Sequence, residues 1–149
     1  MRAHDLVRPH PTLSAPAPAS GAVHLARATS VRSFLVIDPS GVLVGVVSNT
    51  DILRAMLPPY VEERPSIARV LAHDEADLLW EHCRRKRIEE LVTPGAVVSP
   101  DATIVEVISV MIRTRAPLVG VAAEGRLLGG ISLGQVLDSL PPPRLSPRG

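Results

Sequence analysis

The sequence predicts an α+β fold: two copies of a β-α-β-β-α unit, with a helical pair inserted between them. Three observations carry that prediction. The chain repeats itself, since Leu6-Val7-Arg8-Pro9 returns as Leu91-Val92-Thr93-Pro94 and Ser14 returns as Ser99, all at an offset of 85. Each copy then shows, in the same order, a helical apolar stripe, two short β-rich runs and a helix stopped by proline. The composition agrees. Hydrophobic residues make up 46%, almost all aliphatic, with Phe34, Tyr60 and Trp80 as the whole aromatic supply. Aliphatic, largely β-branched side chains suit strands packed under helices. The chain has 149 residues, so each half is marginal alone and the two are expected to share a core.

The first copy is expected over 1–59 and the second over 91–140. Each opens on an extended segment, Thr12 to Ser14 and Val97 to Ser99. In the second copy Ile104, Val107, Ile108, Met111 and Ile112 recur at i, i+3, i+4, i+7 and i+8, the spacing of an amphipathic helix. The first copy has Ala19, Ala22, Val23, Ala26 and Arg27 there, a weaker stripe. One residue is lost between Thr114 and Leu118, and the offset becomes 84. Gly41, Leu43, Gly45, Ser48 and Leu53 then fall on Gly125, Leu127, Gly129, Ser132 and Leu137. Strands are expected over Phe34 to Ile37 with Val42 to Val47, and over Leu118 to Val121 with Leu127 to Ile131. Asp38-Pro39-Ser40-Gly41 and Glu124-Gly125 supply hairpin turns. Closing helices run from Asn49 to Leu57 and from Leu133 to Leu140, stopped by Pro58-Pro59 and Pro141-Pro142-Pro143.

The insertion, 60–90, has no counterpart in either copy. Ile67, Val70 and Leu71 share one helical face, and Leu78, Leu79 and Trp80 lie in a second helical stretch. Two helices linking the halves are expected, with Trp80 as a packing anchor. Residues 141–149 are expected to form a disordered tail.

A formal charge of +1 gives no broad field for nucleic acid or an anionic membrane. No apolar run is long enough to span a bilayer, and no secretory leader is expected. Cys83 stands alone, which suits a reducing compartment, so a cytoplasmic location is expected.

Chemistry concentrates in Gly45-Val46-Val47-Ser48-Asn49-Thr50-Asp51, where a strand feeds a helix. Gly45 lets a ligand approach the backbone. Ser48 offers a hydroxyl beside the free N–H groups of a helix N-terminus, which favour phosphate. Ionised Asp51 accepts only, and can take both hydroxyl protons of a ribose diol. The same spacing is a capping box, and Ser132-x-x-Gln135 repeats it in the second copy. On spacing alone the cap is the simpler reading.

The order of extended segment, helix, hairpin, Gly-h-x-Ser/Thr-x-x-Asp and helix, found twice, resembles the CBS domain. Two such copies in one chain resemble a Bateman module. The resemblance implies two halves joined through their sheets about a pseudo-twofold axis, leaving two clefts. It also implies a regulatory role without catalysis, in which an adenosine-containing ligand such as AMP, ADP, ATP or S-adenosylmethionine binds and no cofactor is required. Carried onto this sequence, Ser48 would meet phosphate and Asp51 ribose. Thr12 would add a hydroxyl from the extended segment, and Phe34 and Leu35 would wall the base. The second copy departs from the pattern, with Gln135 for the acid and Val97 for Thr12, so one competent site is expected. The resemblance further implies a homodimer and an effector on another protein. The alternative is a scaffold whose clefts are degenerate and empty.

Other motifs have plainer readings. His73, His82 and Cys83 lack the spacing of a zinc site. Asp74-Glu75-Ala76-Asp77 matches a helicase tetrapeptide without the Gly-rich loop such enzymes need. Arg84-Arg85-Lys86-Arg87 reads as a solvated helix face beside Glu81, Glu89 and Glu90, so nucleic acid is not an expected partner.

Overall fold

The computed structural model describes residues 1–66 and 75–144. In chain order the elements are α1 (Ala3–Leu6), β1 (Thr12–Ser14), α2 (Ser20–Thr29), β2 (Phe34–Ile37), β3 (Leu43–Val47), α3 (Asn49–Met56), α4 (Pro59–Glu63) and α5 (Glu75–Arg85). A 3₁₀ turn (Ile88–Glu90) leads to β4 (Val97–Val98), α6 (Ile104–Thr114), β5 (Leu118–Ala123), β6 (Arg126–Ser132) and α7 (Leu133–Ser139). The strands form two three-stranded sheets of the same topology, β1-β2-β3 and β4-β5-β6. In each, the first strand runs parallel to the second and the second antiparallel to the third. A parallel pair needs a crossover, and α2 and α6 supply it.

The local chemistry explains the hairpins and helix starts. Asp38 Oδ1 accepts the N–H groups of Ser40 and Val42 at 2.8 and 3.0 Å, a side chain folding its own turn. At the other hairpin Glu124 and Gly125 both have positive φ, 53° and 79°, as a two-residue turn requires. Thr103 caps α6 by accepting from Glu106 N–H at 3.2 Å. The two prolines after α3 do more than end it, since Pro59 is the first residue of α4. Of the expected insertion helices, Leu78, Leu79 and Trp80 fall in α5, while Ile67, Val70 and Leu71 lie outside the described residues. So do residues 145–149 of the expected tail.

Strand alternation sorts side chains into three buried clusters. Phe34, Val36 and Val47 point under α2 and α3 with Ala22, Val23, Ile52 and Ala55. Val119, Val121 and Ile131 do the same under α6 and α7. Leu35, Val46 and Leu118 point the other way and meet Ala96 and Ala116 in a third cluster between the sheets. The halves therefore share an apolar interface, as their small size demands.

The segments leading into each copy are exchanged. Ala3 and Leu6 of α1 are buried in the core of the second half, and Ile88 is buried in the core of the first. Arg8 pairs with Gly130 on β6, and Thr93 with Val46 on β3. The backbone bonds run both ways, at 3.0 and 2.9 Å for the first pair and 2.8 and 3.2 Å for the second. Packing thus crosses the sequence boundaries of the repeats.

This exchange corrects the reading of Gly45 as a place where a ligand reaches the backbone. A Cβ there would overlap the Thr93 carbonyl and lie 2.6 Å from Val92 Cγ1. Its counterpart Gly129 sits likewise against the Arg8 carbonyl and, at 2.9 Å, Val7 Cγ2. Both glycines make room for the other copy's lead-in segment.

The halves differ in how their helices are covered. Helix α5 packs on α2 and α3. Cys83 enters the first core, and Trp80 stacks on His24 with ring centroids 4.8 Å apart. Among the described residues nothing equivalent covers the corresponding face of α6 and α7, where Ile112 is 71% and Leu137 61% exposed. Ile112 stands where the first copy has Arg27, and Leu133 where it has Asn49. A groove of about 360 Å3 runs along this face.

Candidate functional site

A polar cavity of about 470 Å3 opens where the two halves meet. The first half contributes Ser48, Asn49, Thr50, Asp51 and Arg54, all at the start of α3 or one turn in. The second contributes Thr93 from its lead-in segment and Thr114, Arg115 and Pro117 from the end of α6. The exchanged pairing of Thr93 with Val46 brings these groups together.

Ser48 has extended backbone (φ −94°, ψ 168°), the conformation of an N-cap. Its N–H and its Oγ–H donate to Asp51 Oδ2 at 2.9 and 2.8 Å, and Asp51 N–H donates to Ser48 Oγ at 3.4 Å. The capping box therefore forms. It occupies one carboxylate oxygen, and Oδ1 has no hydrogen bond among the described residues. The cap thus leaves one oxygen of the carboxylate with its acceptor capacity unused among the described residues.

Arg54 Nε is paired with Glu62 Oε1 at 3.1 Å, and both side chains are more than half exposed. Arg115 is exposed and ends α6 in the left-handed region, with φ 55°. Thr114 Oγ1 donates to the Val110 carbonyl at 2.6 Å, which leaves its lone pairs as acceptors.

Thr12, Phe34 and Leu35 do not line this cavity. Phe34 is fully buried in the first core and Leu35 in the cluster between the sheets. Thr12 is exposed at the start of β1, opposite Leu35. Its lead-in segment belongs to the other cleft, a cavity of about 320 Å3 lined by Leu6, Arg8, Gln135, Asp138 and Ser139. Sequence reasoning missed Thr93, Thr114 and Arg115. Their signal was the repeat itself, because a twofold exchange places one copy's lead-in beside the other copy's motif.

The second cleft is tied differently. Gln135 Oε1 accepts Ser132 N–H at 2.8 Å, and Gln135 N–H donates to Ser132 Oγ at 3.2 Å. Its Nε2 meanwhile donates to the Leu6 carbonyl at 2.8 Å. A carboxylate closes a capping box but cannot donate to a carbonyl. Gln135→Glu should keep the cap while facing the Leu6 carbonyl with an acceptor, costing about 1 kcal/mol near neutral pH. Urea denaturation compared at pH 7 and at a pH where the new carboxyl is protonated checks this. The loss should shrink at the lower pH.

The remaining candidates settle into structural places. Cys83 Sγ donates to the Trp80 carbonyl at 3.3 Å, and burial raises its thiol pKa. Burial, then Lys86 and Arg85, hold the His82 pKa down. Arg85 is paired with Glu81 one turn back, and Arg87 with Glu89 at 3.9 Å. His73 and Asp74 lie outside the described residues. No helix among the described residues is long and apolar enough to cross a membrane.

The CBS domain family matches residues 3–58 and 88–142, and the chain belongs to that family. Solved structures agree. A CBS domain-containing protein from Kribbella flavida DSM 17836 is 27% identical with a TM-score of 0.75, covering 93% of this chain and 97% of that one. The CBS domain of a membrane protein from Sphaerobacter thermophilus is 21% identical with a TM-score of 0.71, covering 94% and 88%. CBSX2, solved in complex with AMP, is 22% identical with a TM-score of 0.65, covering 93% and 94%. No curated protein sequence matches.

Proposed function

We propose that this chain is a non-catalytic regulatory module that binds one adenosine-containing ligand in the cavity around Ser48 and Asp51. The observation that carries the reading is the cavity itself, assembled from both halves around the Ser-x-x-Asp motif. A ligand there touches two bodies, so its binding energy depends on how they are packed, and it shifts the population of that packing. AMP, ADP, ATP and S-adenosylmethionine are the ligands to try, in line with the AMP bound by the related CBSX2. The module acts in the cytoplasm, through an effector on another protein.

The output surface is the exposed face of α6 and α7, through which the chain forms a homodimer. Arg115 and Pro117 line both the polar cavity and the apolar groove on this face. Leu133, on the groove, donates its N–H to the Pro117 carbonyl at 2.8 Å. Ligand and partner thus share one wall. Light scattering should give a dimer mass at micromolar protein, and Ile112→Glu or Leu137→Glu a folded monomer. A monomeric native chain, with and without nucleotide, rejects this output.

Calorimetry of the purified chain against the four ligands tests the reading, with mass spectrometry for any retained nucleotide. The second reading is a scaffold with degenerate clefts. It is favoured by the Gln135 bond to Leu6, which already closes one cleft around a protein group. Saturable binding of any adenosine ligand argues against the scaffold, and a blank panel argues for it.

A further inference from the structure

We infer that the first cleft selects its ligand by charge, taking a phosphate-bearing adenosine nucleotide over the cationic S-adenosylmethionine, and that Arg115 is the residue that makes the selection. This rests on the adenosine-binding reading above and narrows it to one chemical class.

The repeat makes the two clefts equivalent in backbone, yet they differ in charge. The first holds Arg54 and Arg115 against a single carboxylate, Asp51, one of whose oxygens is already engaged by Ser48. In the second cleft the Asp51 position is Gln135, the Arg54 position is Asp138 and the Thr93 position is Arg8, so its lining carries one cation and one carboxylate where the first carries two cations and one carboxylate. The Arg115 position is Ser30, which ends α2 in the same left-handed conformation, φ 61° against 55°. Equivalent backbone thus carries a guanidinium in one copy and a hydroxyl in the other. The backbone geometry does not require arginine, since left-handed helix ends favour Gly or Asn.

Among the described residues, no carboxylate pairs with Arg115, whereas Arg54 is shared with Glu62. A guanidinium is charged at every physiological pH and presents donors that match phosphate oxygens in pairs. Thr93 and Thr114, from the same half, add hydroxyls to that wall. With Asp51 accepting from the ribose, the anionic end of a nucleotide meets Arg115 across the cavity. S-adenosylmethionine brings one carboxylate but also a sulfonium and an ammonium, so a net positive charge would face Arg115, whereas the phosphate of AMP brings close to two negative charges. Because the groups are exposed, the selection weakens as salt rises.

The test is calorimetry on the full chain with adenosine, AMP, ATP and S-adenosylmethionine at two salt concentrations. It compares the native chain with Arg115→Gln and Arg115→Lys, with thermal melts confirming that the variants fold. Gln adds no new backbone strain, as it has the same branching at Cβ as arginine. The native chain should bind AMP or ATP at least about tenfold tighter than adenosine, the scale of one charge-assisted hydrogen bond. Arg115→Gln should bring AMP and ATP down to the affinity of adenosine for the same variant, and Arg115→Lys should retain part of the preference. Equal affinity for adenosine and AMP, tighter binding of S-adenosylmethionine, or an undiminished preference in Arg115→Gln overturns the charge selection while the adenosine reading stands. If no adenosine compound binds the native chain, both fall.

Discussion

Gly45→Val is expected to cost the module about 3 kcal/mol or more of stability, at or beyond the upper end of overpacking penalties. The reason is what stands in the way. A Cβ at this position overlaps the Thr93 carbonyl, which belongs to paired backbone and cannot rotate aside like a side chain. Accommodating valine means breaking the pairing of Val46 with Thr93, and with it the contact that assembles the cavity. Gly129→Val should behave alike, because it strikes the Arg8 carbonyl on the opposite side of the pseudo-twofold. Gly21→Ala is the control of opposite sign. It lies in α2, and a Cβ there would meet nothing within 4 Å, so alanine should stabilise by about 0.5–1 kcal/mol through helix propensity. Chemical denaturation of the three variants decides the matter. If Gly45→Val melts like the native chain, the close approach of the lead-in segment is not a constraint on this fold.

The elements were legible in the sequence because they are periodic. The stripe from Ile104 to Ile112 and the paired offsets from Gly41 to Leu53 mark helix and strand through local rules that any copy must obey. The exchange was not legible. Leu6 enters a core built from Val107 and Ile131, and Ile88 one built from Phe34 and Val47. A pairing between residues so far apart leaves no periodic trace. That is why Gly45 reads in sequence as space for a ligand. The same blindness hides Thr93, Thr114 and Arg115, the other wall of the cavity. The resemblance puts Phe34 and Leu35 against the base, but strand alternation sends Phe34 under the helices and Leu35 between the sheets. Thr12 stays with its own sheet, opposite Leu35, while Leu6 and Arg8 ahead of it line the other cleft. The pairing of Ser48 with Asp51 was legible because its spacing is local and the capping box arises from the start of one helix.

Asp51→Asn is expected to weaken binding of adenosine and of AMP by the same factor, roughly tenfold to a hundredfold, the scale of a lost charge-assisted hydrogen bond. On the proposed reading the carboxylate serves two partners with two oxygens: Oδ2 takes the N–H and hydroxyl of Ser48, and Oδ1 is the acceptor for the ribose. Asparagine has one carbonyl oxygen. If it closes the cap, an amide N–H₂ faces the diol and can accept nothing; if it turns to the diol, Ser48 loses its partner. Stability should therefore fall by about 1 kcal/mol at most, the worth of a cap, while the affinity loss is larger. Gln135→Ala supplies the contrast, since it removes the return bond of the capping box and the bond to Leu6 from the other cleft. It should lower stability and leave ligand affinity unchanged. The equal loss for adenosine and AMP separates Asp51, which meets the nucleoside, from Arg115, which sets the preference for AMP over adenosine. Calorimetry on Asp51→Asn and Gln135→Ala, with circular dichroism to confirm the fold, is the measurement. A variant at Asp51 that loses stability but binds as tightly as the native chain would show that the carboxylate is a cap and nothing more.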